Sequence, residues 1–203
     1  MPKAITAADT ARPMRERILD AAEMLLRRHG PAKTTVSDVA RALDMSHANI
    51  YRHFDSKAAL QDAVAERWLD AISAPLEAFV KRKGPAAKRL EGWVLALAKA
   101  KRRKILDDPE LFEAYRTVAE AARDVIDHHL ATLDRQVTSI IADGVRQGEF
   151  KVKDAGQAAR AVLSATVRFH HPHMVRASGG ADTEADIKAV MKLVIAGLKA
   201  GVA

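Results

Sequence analysis

The sequence predicts an all-α protein with two parts, a pair of short helices within residues 1–57 and a longer helical part over residues 58–203. Apolar residues recur every three or four positions along most of the chain, which is the spacing of one helix face. Glycine, proline and capping residues divide this pattern into segments of helical length. No segment has the alternating pattern of a half-buried strand.

The composition is that of a water-soluble helical protein, with 48% hydrophobic and 29% charged residues. The absence of cysteine excludes disulfides, thiolate zinc sites and cysteine nucleophiles. The first dozen residues are polar and lack the apolar segment of a secretion signal, so we expect a loose arm there. Because no run of about eighteen apolar residues is present, we expect no membrane span and a cytoplasmic location.

The first two helices have clear start and stop signals. Helix one is predicted to begin at Pro13, because a proline costs no hydrogen bond in the first turn. Gly30 is predicted to end it, and Pro31 to prevent a restart. Thr35 and Asp38 have the spacing of a capping box, so helix two should begin directly after Thr35.

A tight turn and a third short helix follow. Asp44 and Met45 form the turn, and Ser46 is suited to cap the next helix. Ile50 anchors that helix in the core, and Phe54 closes the small domain. Two short helices joined by a tight turn are a common way to present a helix end to the base edges of duplex DNA.

The N-terminal end of the third helix carries side chains that can contact bases. Asn49 can pair with adenine, His47 can donate or accept a hydrogen bond, and Ala48 can touch a thymine methyl group. The helix N-terminus at Lys57 favours a phosphate. The alternative is that Tyr51 is a core aromatic and Lys57 a solvated charge. The predicted DNA-binding residues are Thr34, Thr35, Ser46, His47, Ala48, Asn49, Tyr51, Arg52, His53 and Lys57.

This segment, about the first quarter of the chain, resembles the TetR family of bacterial transcription regulators. Asp44 stands in the turn where the family often has glycine, although aspartate tolerates left-handed backbone better than most residues. Ala48 stands where the recognition helix often has glycine, so the operator preference of relatives cannot be transferred. The matching residues are Thr34, Thr35, Val36, Asp38, Val39, Ala40, Ser46, Ile50, Tyr51, Arg52, His53, Phe54, Ser56, Lys57 and Leu60.

The resemblance implies an N-terminal helix-turn-helix DNA-binding domain and a C-terminal helical ligand-binding and dimerisation domain. It implies a homodimer on a palindromic double-stranded DNA operator, more often a repressor than an activator, and a small-molecule inducer. No cofactor or metal is implied. A dimer is also physically reasonable, because two recognition helices about 34–36 Å apart can read both halves of a palindrome.

The rest of the chain is predicted to be helical. A fourth helix from Lys57 should be kinked or split at Pro75, and a linker at residues 84–85 precedes a fifth. A short helix with Pro109 in its first turn is followed by a long helix over about residues 118–148. An inducer pocket among these helices is implied by the resemblance, although large apolar residues are more often simple core. Its candidate lining residues are Trp68, Trp93, Leu97, Phe112, Tyr115, Ile126 and Leu130.

The last two helices are expected to join two copies of the chain in a four-helix bundle. One is alanine-rich and spans about residues 154–171, and the other begins at a Thr183–Asp186 capping box. The alternative is that both complete a monomeric core. The predicted interface residues are Ala158, Val162, Ala165, Thr166, Phe169, Val190, Met191, Val194 and Leu198.

The net charge of +7 is concentrated in one stretch outside the helix pair. Residues 81–104 contain ten lysines and arginines and one acid, whereas residues 1–57 contain ten basic and seven acidic residues. The simpler interpretation of this basic stretch is a solvated helix face. The alternatives are an added phosphate contact or a site for an anionic effector.

Histidines and possible catalytic groups complete the candidates. His170, His171 and His173 surround Pro172 without the spacing of a zinc site, so we favour a structural role at a helix end near the subunit interface. No phosphate loop, nucleophile elbow or histidine–carboxylate metal motif is present, which argues against an enzyme. The remaining alternative is a helical small-molecule sensor or protein-interaction module that does not bind DNA.

Overall fold

A computed structural model describes residues 12–107 and 109–201, apart from the side chains of residues 111, 120 and 121. Of the arm expected over the first dozen residues, all but Arg12 lies outside these residues. The described regular structure is helical, which confirms the all-α prediction. The α-helices are α1 Met14–Lys33, α2 Val36–Ala42, α3 His47–Tyr51, α4 Lys57–Ser73, α5 Glu77–Lys81, α6 Ala86–Leu106, α7 Pro109–Ala121, α8 Arg123–Arg146, α9 Ala155–Thr166, α10 Pro172–Ser178 and α11 Glu184–Ala200.

The chain divides into two compact units. One comprises Met1–Trp68 with Glu110–Val125, and the other comprises Leu69–Pro109 with Ile126–Ala203. The first unit contains the predicted helix pair, and the second contains most of the remaining helices. The functional boundary after residue 57 stays a prediction.

Helix α1 is bent where the sequence predicts its end. Gly30 has a φ of 74° and breaks the regular backbone, as expected of glycine near a helix C-terminus. The prediction that Pro31 prevents a restart is wrong, because helical structure resumes there and continues to Lys33. Proline fits this position because the first turn of a helix does not use its missing N–H.

The capping box and the turn of the helix pair are confirmed. The Thr35 hydroxyl accepts from the Asp38 N–H at 3.2 Å, and the Asp38 carboxylate accepts from the Thr35 N–H at 3.1 Å. Asp44 adopts the left-handed conformation with a φ of 53°. The Met45 N–H donates to the Ala40 carbonyl at 3.0 Å, so the turn ends α2 in a Schellman motif.

An apolar core and an ionic contact hold the first unit together. Ile18 of α1, Val39 of α2 and Ile50 of α3 are completely buried. Arg67 of α4 donates to Asp20 and Glu23 of α1 at 2.7 Å each. The short helix α3 therefore depends on burial of Ile50 for its position, since five residues form too few internal hydrogen bonds for a stable isolated helix.

Pro75 divides the fourth helix as predicted, because a short 3₁₀ helix at Ala74–Leu76 separates α4 from α5. The predicted boundary before residue 118 is wrong, since α7 continues to Ala121 and α8 begins at Arg123. Helix α10 was not expected. Pro172 begins this helix, with His171 as the N-cap residue.

Buried polar side chains connect the helices of the second unit. The Trp93 indole N–H donates to Gln136 Oε1 at 3.0 Å, and the Gln136 amide donates to the Ser73 carbonyl at 3.0 Å. The Arg89 guanidinium donates to the Val80 carbonyl and pairs with Asp143. Across the described residues, no helix is both long enough and apolar enough to cross a bilayer.

Candidate nucleic-acid interface and effector-binding region

The exposed N-terminal end of α3, with its N-cap residue, contains four of the predicted DNA-binding residues. Ser46, His47 and Ala48 are exposed and Asn49 is partly exposed, while Ile50 faces the core. Ser46 has the extended backbone of an N-cap residue, but its hydroxyl makes no capping hydrogen bond. The structure therefore presents a short polar surface on a helix end that is fixed from behind by an apolar anchor.

Residues that flank α3 can contact phosphates. Tyr51 is 47% exposed, which disfavours a purely core role, whereas Phe54 is 5% exposed and belongs to the core. Arg52, His53 and Lys57 are exposed, and Lys57 is the first residue of α4. A helix N-terminus with a free lysine beside it is a favourable position for an anion.

The two threonines before α2 have internal partners. The Thr34 side chain is buried, and its hydroxyl donates to the Gly30 carbonyl at 2.8 Å. The Thr35 hydroxyl donates to Asp38 Oδ2 at 2.6 Å, and its hydrogen bonds lower the pKa of Asp38. A direct phosphate contact by either hydroxyl would require it to exchange its present partner.

The residues predicted to line an inducer pocket divide between the two units. Trp68 stacks on Tyr115 in the first unit, with ring centroids 4.7 Å apart, and Phe112 lies 6.3 Å from Trp68. In the second unit, Trp93 and Leu97 are fully buried. The two remaining candidates, Ile126 and Leu130, lie near the start of the second unit's part of α8, and Leu130 is 55% exposed at the edge of a cavity.

Most residues predicted for the dimer interface lie inside the protomer. Helices α9 and α11 pack on each other within the chain, and their apolar faces meet there. Ala165 remains exposed, and Val190 and Val194 are partly exposed. The other six are at most 6% exposed and form part of the protomer's own core: Ala158, Val162, Thr166, Phe169, Met191 and Leu198.

The basic stretch at residues 81–104 is not simply a solvated face. Arg89 and Lys101 are buried, at 5% and 7% exposure. Periodicity alone did not identify either side chain, although both stand beside apolar neighbours on the buried face of α6. Lys101 Nζ lies 3.1 Å from His129 Nε2.

Two family models match the chain. One describes the tetR family of bacterial regulatory proteins and matches residues 18–64. The other describes the tetracycline-repressor-like C-terminal domain and matches residues 86–191, about half of the chain. The chain belongs to the TetR family. Members of this family are transcription regulators and not enzymes, in agreement with the expectation from the sequence.

Individual relatives agree with this membership. An uncharacterized HTH-type transcriptional regulator from Mycobacterium tuberculosis is 44% identical over 52 residues, which span 26% of each chain. The chain therefore matches only about a quarter of that relative's length.

Solved structures show the same fold along most of the chain. A protein from Pseudomonas aeruginosa has a TM-score of 0.70 at 19% identity, covering 95% of both chains. FadR from Bacillus subtilis, solved with stearoyl-CoA, has a TM-score of 0.60 at 19% identity and covers 93% of this chain and 99% of its own. A TetR/AcrR-family regulator from Thermobifida fusca has a TM-score of 0.60 at 21% identity, covering 91% of this chain and 97% of its own.

No group of three or more metal-ligating side chains converges in the part of this TetR-family chain that the structure describes. His171 and His173 are exposed, and His170 is partly buried beside Thr166, with 3.3 Å between His170 Nε2 and Thr166 Oγ1. The buried imidazole is His129, about forty residues earlier in the chain. The cavity near Lys101 is lined by His170 and His171, while His129 contacts the Lys101 Nζ.

Proposed function

We propose that this protein is a cytoplasmic transcription regulator that binds a palindromic DNA operator as a homodimer. The observation that carries the proposal is the exposed N-terminal end of α3, with Ser46, His47, Ala48 and Asn49 held on a buried Ile50 in a TetR-family helix pair. A repressor that a small molecule releases from DNA is the mode most in keeping with the family.

Selection from a random DNA pool tests the assignment of base contacts. Asn49→Ala and His47→Ala should each change the selected sequence, because each removes a group that can hydrogen-bond a base edge. If both variants select the same sequence as the unaltered protein, the base contacts have been assigned to the wrong residues.

Affinity measurements separate phosphate contacts from base contacts. Tyr51→Ala and Lys57→Ala should weaken binding to every sequence by a similar factor, because phosphate contacts carry no sequence information. Lys153→Ala also removes one exposed charge but lies outside the first unit and outside the basic stretch, and it serves as the matched control. Equal effects of Lys57→Ala and Lys153→Ala would contradict the phosphate role of Lys57.

We infer a dimer interface on the outer faces of α9 and α11. Leu193 is 76% exposed, and Ala161 and Ala165 are exposed on α9. Gly197 has open space around its Cα, which would let a partner helix approach closely. An exposed leucine beside small residues suits the association of two copies about a two-fold axis.

Sedimentation tests this interface. Leu193→Asp should give folded monomers, because a charge buried between two helices costs more than the contact gains. Met24→Asp changes another exposed apolar residue, on α1, and should remain dimeric. Leu198→Asp is unsuitable, since Leu198 is 2% exposed and its replacement would unfold the protomer. A dimer of Leu193→Asp as tight as that of the unaltered protein would place the interface elsewhere.

Regulation by a ligand is supported by the family and by the similarity to FadR, which was solved with stearoyl-CoA. A ligand can alter DNA affinity only if it binds one of two states of the chain more tightly than the other. A protein that kept the helix pair without binding DNA would lack the salt dependence that phosphate contacts produce.

A further inference from the structure

A cavity of about 350 Å³ lies in the second unit between α6, α8 and the end of α9. Its walls include Leu130 and Leu133 of α8, Leu163 of α9 and Val167 just after α9. Leu130 is 55% exposed at its edge, so a bound molecule could cover apolar surface that is now in water. The volume falls within the range of about 300–1,000 Å³ that small-molecule sites occupy.

The cavity also contains a buried cation without a counter-ion. Lys101 lines it and is 7% exposed. Among the described residues its hydrogen-bond partner is His129 Nε2 at 3.1 Å, and no carboxylate lies within ion-pair distance of Nζ. Burial lowers the pKa of Lys101 to about 8, so the side chain still carries its charge near neutral pH.

Among the described residues, none of the titratable groups that line the cavity forms an ion pair with Lys101. Burial, followed by the charge of Lys101, lowers the pKa of His129 to about 3 and that of His170 to about 4, so both imidazoles are neutral near pH 7. His171, also at the cavity, is exposed. Asp134 lines the cavity as well, and its buried Oδ1 accepts no hydrogen bond from any described residue.

These features define the chemistry of a ligand. A buried cation without a partner is unfavourable, and an anion that pairs with it removes that cost. The apolar walls favour a hydrophobic body, while the free oxygen of Asp134 requires a hydrogen-bond donor. A suitable ligand therefore has three parts. A carboxylate pairs with Lys101, an apolar body contacts the apolar walls, and a hydroxyl or similar group donates to Asp134.

We propose that this cavity binds a small hydrophobic organic acid, with its carboxylate on Lys101, its body against Leu130, Leu133, Leu163 and Val167, and a donor group toward Asp134. One part of the inference rests on the proposed function, namely that this acid is the effector that changes the affinity of the protein for DNA. Binding itself needs no DNA and can be measured on the protein alone.

Isothermal titration calorimetry with matched probes tests the proposal. The panel consists of 4-hydroxyphenylacetate, phenylacetate and straight-chain and aromatic acids of similar size, each paired with its neutral amide. At least one acid should bind with a millimolar or lower Kd, and its amide should bind at least tenfold more weakly. 4-Hydroxyphenylacetate should bind more tightly than phenylacetate, which lacks the donor for Asp134.

Two variants and one control localise the binding. Lys101→Met keeps a flexible side chain but removes the charge, and it should weaken acid binding at least tenfold. Lys88→Met removes an exposed charge from the same helix and should bind as the unaltered protein does. Leu163→Trp fills the cavity while leaving Lys101 in place, and it should also abolish acid binding. This variant keeps the proposal testable even if Lys101→Met fails to fold.

The pH dependence gives an independent readout. Acid binding should weaken as pH rises through the pKa of Lys101, because His129 and His170 are already neutral there and do not change their charge. The proposal is overturned if no acid binds, if acids and amides bind alike, or if Lys101→Met binds as the unaltered protein does. Acid binding without any effect on DNA affinity would support the site and refute its regulatory role, whereas a protein that binds acid but never DNA would refute the proposed function alone.

Discussion

Replacement of Lys101 by methionine should make the protein more stable, although it removes a hydrogen bond. Burial lowers the pKa of this lysine from 10.5 to about 8. From that shift, the charged side chain costs the folded state about 3 kcal/mol near pH 7. Loss of its hydrogen bond to His129 offsets about 1–2 kcal/mol of the gain. The expected net result is a free energy of unfolding about 1–2 kcal/mol higher than that of the unaltered protein.

The stability difference between Lys101→Met and the unaltered protein should become smaller as pH rises. The folded pKa of Lys101 is below the unfolded one, so the unfolded chain binds more protons between about pH 8 and pH 10.5. The stability of the unaltered protein therefore gains from this group as pH rises through that window, and the methionine variant has no such gain. The advantage of Lys101→Met should shrink by about 2 kcal/mol between about pH 7 and pH 9.5.

Urea unfolding followed by far-UV circular dichroism measures these differences at both pH values. Lys88→Met is the control, since it removes an exposed lysine from α6 and should change stability by less than about 0.5 kcal/mol. If Lys101→Met is less stable than the unaltered protein near pH 7, the charge of Lys101 does not carry the folding cost that its lowered pKa indicates. A difference in stability between the two proteins that does not change with pH would likewise show that this charge carries no folding cost.

Other predictions concern packing, acid sensitivity and capping. Gly144→Ala should destabilise the fold by about 1–3 kcal/mol in urea unfolding, because its Cβ would lie 2.7 Å from Phe150 Cε2 and 2.8 Å from Ala86 Cβ; an unchanged midpoint would contradict this close packing. The free energy of unfolding should fall by about 1.4 kcal/mol for each buried neutral imidazole between about pH 7.5 and pH 5.5. In this range a histidine of the unfolded chain becomes protonated, whereas His129 stays neutral in the folded protein. His129→Gln should reduce that loss while the exposed His128→Gln should not, and equal slopes would show that His129 is not responsible. Thr183→Ala should cost about 1 kcal/mol through the lost cap of α11, and no change in thermal midpoint would contradict that value.

Local signals predicted most of the fold. The capping boxes at Thr35 and Thr183 both form, because the groups involved lie three residues apart and need no tertiary partner. Proline was harder to interpret, since the same residue can end one helix or begin the next. Pro31 and Pro172 both occupy the first turn of a helical segment. The break at Ala122 has neither glycine nor proline to mark it.

Tertiary information limited the prediction of sites. The sequence predicts that the apolar stripes of α9 and α11 pair with a second copy, whereas most of these residues are buried within the protomer. Periodicity does not tell whether the partner helix belongs to the same chain or to a second copy. Met191 and Leu198 are therefore enclosed by their own protomer. For the same reason, the sequence does not reveal which of the ten basic residues at 81–104 lines the cavity. That residue is Lys101, which lies near the neutral imidazoles of His129 and His170. The exposure of the residues at the start of α3 could be predicted because it follows from a short local motif, while their contacts with bases stay a prediction.

The most direct test of DNA reading by this protein is fluorescence anisotropy with a labelled duplex from the DNA that flanks the protein's own gene, compared with a scrambled duplex at several salt concentrations. Binding to the first duplex should be tight and binding to the second at least about a hundredfold weaker, with a log–log salt slope of about −0.9 for each neutralised phosphate. Asn49→Ala should reduce the difference between the two duplexes. Weak and equal binding to both duplexes, together with a random-pool selection that enriches no sequence, would contradict a role in reading DNA.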